Sequence, residues 1–190
     1  VKPEKLPINE DEICLPQNPY GLSKLSAENL CRHYATFSKF STIIARPFNH
    51  VGVGQSNRFV IGSICEQIYR LKSNKDNVLK LGDLSSTRDF LHVNDVAHAY
   101  ISLLEKGKNG QIYNVCSGFE TSILKVVKEL IEISGVKVQL LHETRNHESD
   151  DIKRVLGDNK KIVEQTSWKP KLNLKSTLKN CLDINKIGVQ

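Results

Sequence analysis

The sequence predicts an α/β protein, because short apolar runs typical of strands alternate along the chain with segments that have the apolar period of a helix. Residues 41–46 are a β-branched run that ends at Pro47, as expected for a buried parallel strand. Residues 96–104 place Val, Ala, Tyr and Leu side chains at helical spacing. With 190 residues, of which 39% are hydrophobic and 25% charged, the chain is long enough for a substantial core.

The first half of the chain begins with a loop, since residues 1–18 are polar and interrupted by proline. Apolar residues at helical spacing then follow, and the β-branched run comes after them. The elements predicted in this half are a helix that continues to about residue 37, the strand at 41–46, a helix over 59–71 and a strand over 78–81.

The second half continues the alternation of helices and strands. Asp95 is placed to cap the helix that contains residues 96–104, and Gly107 ends it. The further elements predicted are a strand over 111–115, a helix over 123–131, a strand over 136–140 and a helix over 174–182.

Composition excludes several classes of protein. The formal charge of +6 comes from lysines and arginines scattered among acidic residues, which argues against nucleic acid and favours a small polyanionic ligand. Five cysteines without a Cys-x-x-Cys pair indicate reduced core residues, and the histidines show no spacing typical of a metal site. No run approaches a membrane span and no signal pattern opens the chain, so we expect a cytoplasmic protein.

Tyr20 and Lys24 are the most informative pair in the sequence. Residues four apart in a helix share a face, so a phenol would lie beside an ammonium. The cation favours the phenolate, which would let the pair exchange a proton near neutral pH. Pro16 and Pro19 place Tyr20 in the first helical turn. A coincidental Tyr-x-x-x-Lys spacing remains the alternative, because the chain has five tyrosines and many lysines.

The stretch around this pair, Pro-x-x-Pro-Tyr-Gly-x-Ser-Lys-x-x-Ala-Glu, resembles the active-site helix of the extended short-chain dehydrogenase/reductase family. That family contains epimerases, dehydratases and reductases of nucleotide sugars. The resemblance implies that Tyr20 and Lys24 are catalytic, and that both contact an NADP or NAD cofactor. It also implies the C-terminal portion of a Rossmann-like parallel sheet, interleaved with a small α/β substrate-binding domain.

By the same resemblance, the chain begins just before the tyrosine of the family. We therefore expect the first third of a family member, with its glycine-rich turn and catalytic Ser or Thr, to lie outside these residues. Gly52-Val53-Gly54 is not that turn, since Asn57 stands where the third glycine would fall. We expect these 190 residues alone neither to bind the cofactor tightly nor to turn over.

A second string, Ala-Arg-Pro-Phe-Asn-His-Val-Gly-Val-Gly-Gln over residues 45–55, resembles the family's segment at the end of the sixth strand. The resemblance implies cofactor contacts from Arg46, Pro47 and Phe48 and a substrate contact from Asn49. An asparagine that merely turns the chain after a strand is the alternative. The Phe-Asn-His form is most similar to reductases of GDP-4-keto-6-deoxy-mannose, although these usually have proline at the position of Val53.

Two further strings imply the remaining substrate contacts. Residues 81–96 resemble the segment whose arginine binds the nucleotide diphosphate, and Arg88 occupies that place. A surface ion pair of Arg88 with Asp83 or Asp89 is the alternative. Residues 148–161 resemble the segment that contacts the ribose or phosphate, although Glu148 stands at the usual arginine. The full set of predicted substrate contacts is Asn49, Phe59, Val60, Arg88, Arg145 and Asp151.

The resemblance implies NAD(P)-dependent reduction of the C4 keto group of a nucleotide 4-keto-6-deoxy sugar, with GDP favoured. The alternatives are a GDP-mannose 4,6-dehydratase, a nucleotide-sugar 4-epimerase and, less favoured, a non-catalytic nucleotide-binding subunit. We expect a homodimer that binds neither nucleic acid nor membrane, and no metal. The predicted domains are a dinucleotide-binding remnant, 1–46 with 93–116, and a substrate domain, 47–92 with 117–190.

Overall fold

The computed structural model describes residues 5–73, 77–142 and 152–183. Helices and strands alternate within these ranges, so the predicted α/β class is confirmed. The helices are α1 (Pro19–Phe37), α2 (Val60–Ser73), α3 (Val93–Lys106), α4 (Ile123–Ser134), α5 (Lys160–Thr166) and α6 (Leu174–Leu182). The strands are β1 (Ile44–Pro47), β2 (Asn49–Val51), β3 (Val78–Leu81), β4 (Thr87–His92), β5 (Ile112–Val115), β6 (Glu120–Ser122) and β7 (Gln139–His142).

These strands form three small sheets, and most of the strand pairs are parallel, as predicted. β1 pairs with β5 in parallel, with Ile44 opposite Ile112. β2 pairs in parallel with β4, whose other edge takes β6 antiparallel. β3 pairs with β7 in parallel. The crossover between each pair of parallel partners contains at least one helix, which is the usual connection for parallel strands.

Several predicted boundaries differ from the observed ones. The strand predicted at 136–140 runs instead from Gln139 to His142. β2, β4, β6 and α5 were not predicted as separate elements. β4 escaped detection because its buried positions include the polar Asp89 and His92, which interrupt an apolar pattern.

The cap predicted at Asp95 is wrong. His92 caps α3, since its Nδ1 accepts a hydrogen bond from the Asn94 backbone N–H at 3.0 Å. The buried Asp95 carboxylate instead accepts from the backbone N–H groups of Lys171 and Leu172, at 3.2 and 3.0 Å. Asp95 therefore fastens the chain that leads into α6 to the first turn of α3.

Within the described ranges, two apolar clusters form the core. One joins Val51 to α2, β3, α4 and α6, and the other joins α3, β5 and α5 to Leu91 and the buried Trp168. The predicted division into two domains stays a prediction.

The interpretation of all five cysteines as core residues is wrong for two of them. Cys14 is exposed and Cys31 half-buried, whereas Cys65, Cys116 and Cys181 are buried. Burial raises the pKa of the Cys65 thiol to about 12 and that of Cys181 to about 11, so these two thiols are neutral and unreactive near pH 7.

A buried carboxylate in β4 joins two loops, one at residues 117–118 and one at residue 157. Asp89 is inaccessible to solvent, and its oxygens accept hydrogen bonds from Ser117, Gly118 and Gly157. Burial raises the pKa of Asp89, while these hydrogen bonds oppose the rise. Asp89 therefore holds these loops together, and it brings residue 157 against β4 and the end of β5.

Gly157 is expected to tolerate no side chain. A Cβ there would lie 2.5 Å from the Cys116 Sγ and 2.8 Å from the Phe48 Cζ, too close for either neighbour. Replacing Gly157 by Ala should cost about 1–3 kcal/mol of unfolding free energy, measured by chemical denaturation. Gly82 has open space around it and is the matched control, so Gly82→Ala should have little effect. Equal stabilities of the two variants would contradict this packing argument.

The helix α1 is the least buried of the described helices. None of its 19 residues, all within the described ranges, is buried, and Leu22, Leu30, Tyr34 and Phe37 are exposed. Across the part of the chain that the structure describes, no helix has both the length and the apolar character needed to span a bilayer.

Candidate active site

The local sequence fixes Tyr20 at the start of α1. The Asn18 side chain accepts a hydrogen bond from the Gly21 backbone N–H at 2.8 Å, which caps the helix, and Pro19 occupies its first position. Gly21 lies close to Pro16, since a Cβ on Gly21 would lie 3.2 Å from the Pro16 Cβ. The cap and the proline turn together hold Tyr20 in the first helical turn, where 72% of its surface is exposed.

The helix brings Lys24 over Tyr20, as the spacing of four residues predicts. The Lys24 Nζ lies 5.3 Å from the centroid of the Tyr20 ring, within the range of a cation–π contact. Both side chains are exposed. The pair is therefore accessible to a ligand that approaches the N-terminal end of α1.

An ion pair fastens α1 to β1. The Arg46 guanidinium donates to both Glu28 oxygens, through Nε at 2.9 Å and Nη2 at 2.7 Å, and through Nη1 to the Glu10 carbonyl at 2.9 Å. The hydrogen bond from Arg46 holds the pKa of Glu28 below its usual value. Because the guanidinium is engaged in this way, a cofactor contact from Arg46 would come from its backbone.

Tyr20 opens onto a cavity of about 770 Å³. Predicted cofactor contacts (Arg46, Pro47 and Phe48) and predicted substrate contacts (Asn49, Phe59 and Val60) line this cavity together. The cavity lies at the carboxyl ends of β1 and β2, where ligands bind in parallel α/β sheets. The structure thus brings together six of the predicted contacts around one of the two predicted catalytic residues.

The loop after β2 forms a further wall of this cavity, and it contains a residue that was not predicted. Gln55 donates from its backbone N–H to the Gly52 carbonyl at 3.3 Å and from Nε2 to the His50 carbonyl at 3.0 Å. Gly54 has φ of 77°, a left-handed conformation that favours glycine. Gln55 is the last residue of the string 45–55 that resembles the family. The sequence does not predict its role, because its hydrogen bonds to Gly52 and His50 depend on how the loop folds.

Arg88 lies in β4, outside the residues that line this cavity. Its Nη1 donates to the Thr87 carbonyl at 2.8 Å and, more weakly, to the Lys153 carbonyl at 3.5 Å. Among the described residues no carboxylate forms an ion pair with Arg88. The pKa of Asp83 is lowered mainly by hydrogen bonds from Ser85, and the charges of Lys153 and then Arg88 lower it further.

The other two predicted contacts, Arg145 and Asp151, lie outside the described residues.

Glu120 connects β6 to the segment that follows residue 151. Its carboxylate accepts from the Arg154 Nε at 2.8 Å and Nη2 at 2.7 Å, and from the Thr87 hydroxyl. These contacts lower the pKa of Glu120 to about 2, with the Arg154 hydrogen bonds as the largest cause. Glu120 therefore stays ionised across the physiological range.

This ion pair should make a small, pH-dependent contribution to stability. The pKa of Glu120 is lower in the folded than in the unfolded chain, so the contribution is present above about pH 4.5 and is lost as the pH falls toward about 2. The difference in unfolding free energy between the wild type and Glu120→Gln should shrink over that range. It should be small, because the Arg154 side of the pair is largely exposed to solvent. A difference that does not change with pH would contradict this assignment.

The comparison with known proteins identifies the family of this fold and site. A model of the family described as GDP-mannose 4,6 dehydratase matches residues 2–181. The chain belongs to this family. The predicted resemblance to nucleotide-sugar epimerases, dehydratases and reductases is thereby confirmed.

Members of the GDP-mannose 4,6 dehydratase family and related enzymes resemble the chain over nearly its whole length. GDP-6-deoxy-D-mannose reductase of Pseudomonas aeruginosa is 40% identical over 178 residues, which are 93% of this chain and 59% of that protein. The structure of RMD from Pseudomonas aeruginosa complexed with NADPH has a TM-score of 0.89 at 39% identity, covering 96% of this chain and 61% of that one.

UDP-glucose 4-epimerase from Thermotoga maritima, solved with UDP-glucose, has a TM-score of 0.86 at 26% identity, covering 98% of this chain and 59% of that one. The chain thus spans about three fifths of the length of each of these relatives.

Among the described residues, no group of three His, Cys, Asp or Glu side chains is placed to hold a metal ion.

Proposed function

We propose that the protein containing this chain reduces the C4 keto group of a nucleotide 4-keto-6-deoxy sugar with NADPH or NADH, and that the nucleotide is GDP. The observation that carries the proposal is the Tyr20–Lys24 pair, whose ammonium lies 5.3 Å from the phenol ring centroid at the mouth of the 770 Å³ cavity. The GDP-6-deoxy-D-mannose reductase that is 40% identical supports the choice of sugar and nucleotide.

The residues around Tyr20 fit a nicotinamide cofactor. Tyr20 and Lys24 are both exposed, so a ribose and a ring can approach them without a rearrangement of α1. Pro47 and Phe48 supply apolar lining to the same cavity. In the proposed site Lys24 holds the ribose hydroxyls, and Pro47, Phe48 and the Arg46 backbone face the nicotinamide. When bound, the cofactor supplies the hydride.

In the proposed reaction Tyr20 donates the phenolic proton to the oxygen of the C4 carbonyl as that oxygen gains negative charge. The Lys24 ammonium stabilises the phenolate that remains on Tyr20, because opposite charges at short range favour the ionised form. The Glu28–Arg46 ion pair holds α1 against β1, and the Asn18 cap fixes the first turn of α1, which contains Tyr20.

The substrate would extend from this cavity toward Arg88, near the start of β4. Asn49, Phe59 and Val60 line the cavity and would contact the sugar nucleotide. Arg88 would bind the diphosphate, because its Nε and Nη2 donors engage none of the described residues. Arg145 and Asp151 stay predictions as substrate contacts.

A GDP-mannose 4,6-dehydratase is the second candidate, and the description of the matching family favours it. In that reaction the Tyr20 phenolate would accept the proton of the C4 hydroxyl instead. A 4-epimerase would use the same pair. An exposed Tyr20–Lys24 pair beside a cavity argues against a non-catalytic subunit.

An assay of NADPH oxidation with GDP-4-keto-6-deoxy-mannose tests the reductase, using the full-length protein. We expect consumption of NADPH at a rate that depends on the concentration of the sugar nucleotide. Conversion of GDP-mannose to its 4-keto-6-deoxy product without added reductant would identify a dehydratase. Absence of reaction with either substrate would contradict both. The homodimer and the cytoplasmic location stay predictions.

A further inference from the structure

Arg88 depends on a neighbouring segment for its orientation. The Thr87 backbone pairs with residues 153–155, since its N–H donates to the Lys153 carbonyl at 2.8 Å and its carbonyl accepts from the Val155 N–H at 3.2 Å. The Arg88 Nη1 rests on the carbonyls of Thr87 and Lys153. This leaves Nε and Nη2 without a partner among the described residues, with their donors in one plane.

Glu120 holds that neighbouring segment in place. It lies opposite Asp89 in the antiparallel pairing of β6 with β4. Its two oxygens accept from the Nε and Nη2 of Arg154 in a bidentate pair, and the Thr87 hydroxyl donates to the same carboxylate. One carboxylate therefore contacts both strands of the Thr87–Arg154 bridge. The side chain of Glu120 is four fifths covered, while that of Arg154 is 61% exposed.

We propose that Glu120 is a positioning residue for Arg88, in that it fixes the Thr87 and Lys153 carbonyls on which the guanidinium rests. The proposal rests on the proposed function, where Arg88 binds the diphosphate of the substrate. Planar donors recognise phosphate oxygens best when their direction is fixed in advance. Loss of the Glu120–Arg154 pair would release residues 153–155 and let the guanidinium turn away.

For Glu120→Gln, positioning predicts a change in GDP affinity opposite in sign to the change that charge alone predicts. Removing an anion near a phosphate site raises the local positive potential, so Glu120→Gln would bind GDP more tightly if charge alone decided. Removing a cation at Arg154 would weaken binding. Positioning predicts instead that both substitutions weaken binding, because each breaks the same pair.

The test is calorimetric titration of the full-length protein with GDP. We expect Glu120→Gln and Arg154→Gln each to weaken GDP binding about threefold to fivefold. Arg88→Ala should weaken it about tenfold or more. In the Arg88→Ala background, Glu120→Gln should have almost no further effect. Glu132→Gln is the matched control, because it removes the same charge from an exposed pair with Lys175, at 3.0 Å, and should leave GDP binding unchanged.

Tighter or unchanged binding by Glu120→Gln would overturn the proposal. So would an equal weakening with and without Arg88, since that would mean a general loss of structure. If Glu120→Gln fails to fold, Arg154→Gln is compared with and without Arg88→Ala. Positioning predicts almost no further weakening in the Arg88→Ala background, whereas an effect of charge alone would persist there and overturn the proposal. GDP binding that does not respond to Arg88→Ala would overturn the positioning role together with the proposed diphosphate site. A missing reductase activity alongside the expected GDP affinities would contradict only the proposed reaction.

Discussion

Replacement of Tyr20 by Phe in the full-length protein is expected to lower kcat for keto-sugar reduction by about 10²- to 10⁴-fold. The substitution removes the phenolic proton while keeping the ring over which Lys24 lies. The Tyr20 side chain is 72% exposed, and its hydroxyl has no partner among the described residues. Folding should therefore be unaffected, and the loss should appear in steady-state NADPH oxidation.

Tyr34→Phe is the matched control for this change. Tyr34 lies further along α1 and is 44% exposed, and its replacement by Phe also removes a phenolic hydroxyl. We expect its kcat to equal that of the wild type. If Tyr20→Phe kept more than about a tenth of the wild-type kcat, proton donation by Tyr20 would be excluded.

Lys24 should respond differently from Tyr20. Lys24→Met removes the charge that stabilises the phenolate and, in the proposed site, the contact with the cofactor ribose. We therefore expect both a lower kcat and a higher KM for NADPH, whereas Tyr20→Phe changes mainly kcat. A Lys24→Met variant with unchanged KM for NADPH would remove the ribose contact from the proposed site.

The sequence predicts this part of the site because its determinants are local. Asn18, Pro19 and the spacing of Tyr20 and Lys24 all fall within one stretch, so helix start, exposure and shared face follow from neighbouring residues. The spacing of four residues needs no knowledge of the rest of the fold.

The contacts that fasten the site could not be predicted in the same way. Glu28 and Arg46 are 18 residues apart, and Glu120 and Arg154 are 34 apart. A chain with 27 basic and 21 acidic residues offers many such pairs, and the pairing depends on which strands become neighbours. The sequence does not predict β4 for a related reason. Asp89 can be buried in this strand because loops distant in the sequence supply its hydrogen-bond donors.

Replacement of Asp89 by Asn is expected to destabilise the fold more than any other single change considered for its interior. The two oxygens of Asp89 accept four hydrogen bonds, from the Ser117 N–H at 2.8 Å, the Ser117 hydroxyl at 2.6 Å, the Gly118 N–H at 2.9 Å and the Gly157 N–H at 3.3 Å. An Asn amide turns one of these acceptors into a donor. At least one N–H would then face another donor in a site closed to water.

Each buried donor that loses its partner costs about 1–3 kcal/mol, so Asp89→Asn should lower the unfolding free energy by about 2–4 kcal/mol. Chemical denaturation and a lower Tm would measure the loss. Asp83→Asn is the control and should change stability little, because the exposed Asp83 accepts hydrogen bonds from Ser85 alone among the described residues. Near-equal stability of the two variants would mean that Asp89 does not join the loop at residues 117–118 to the loop at residue 157. The position of Gly157 against Phe48 would then have another cause.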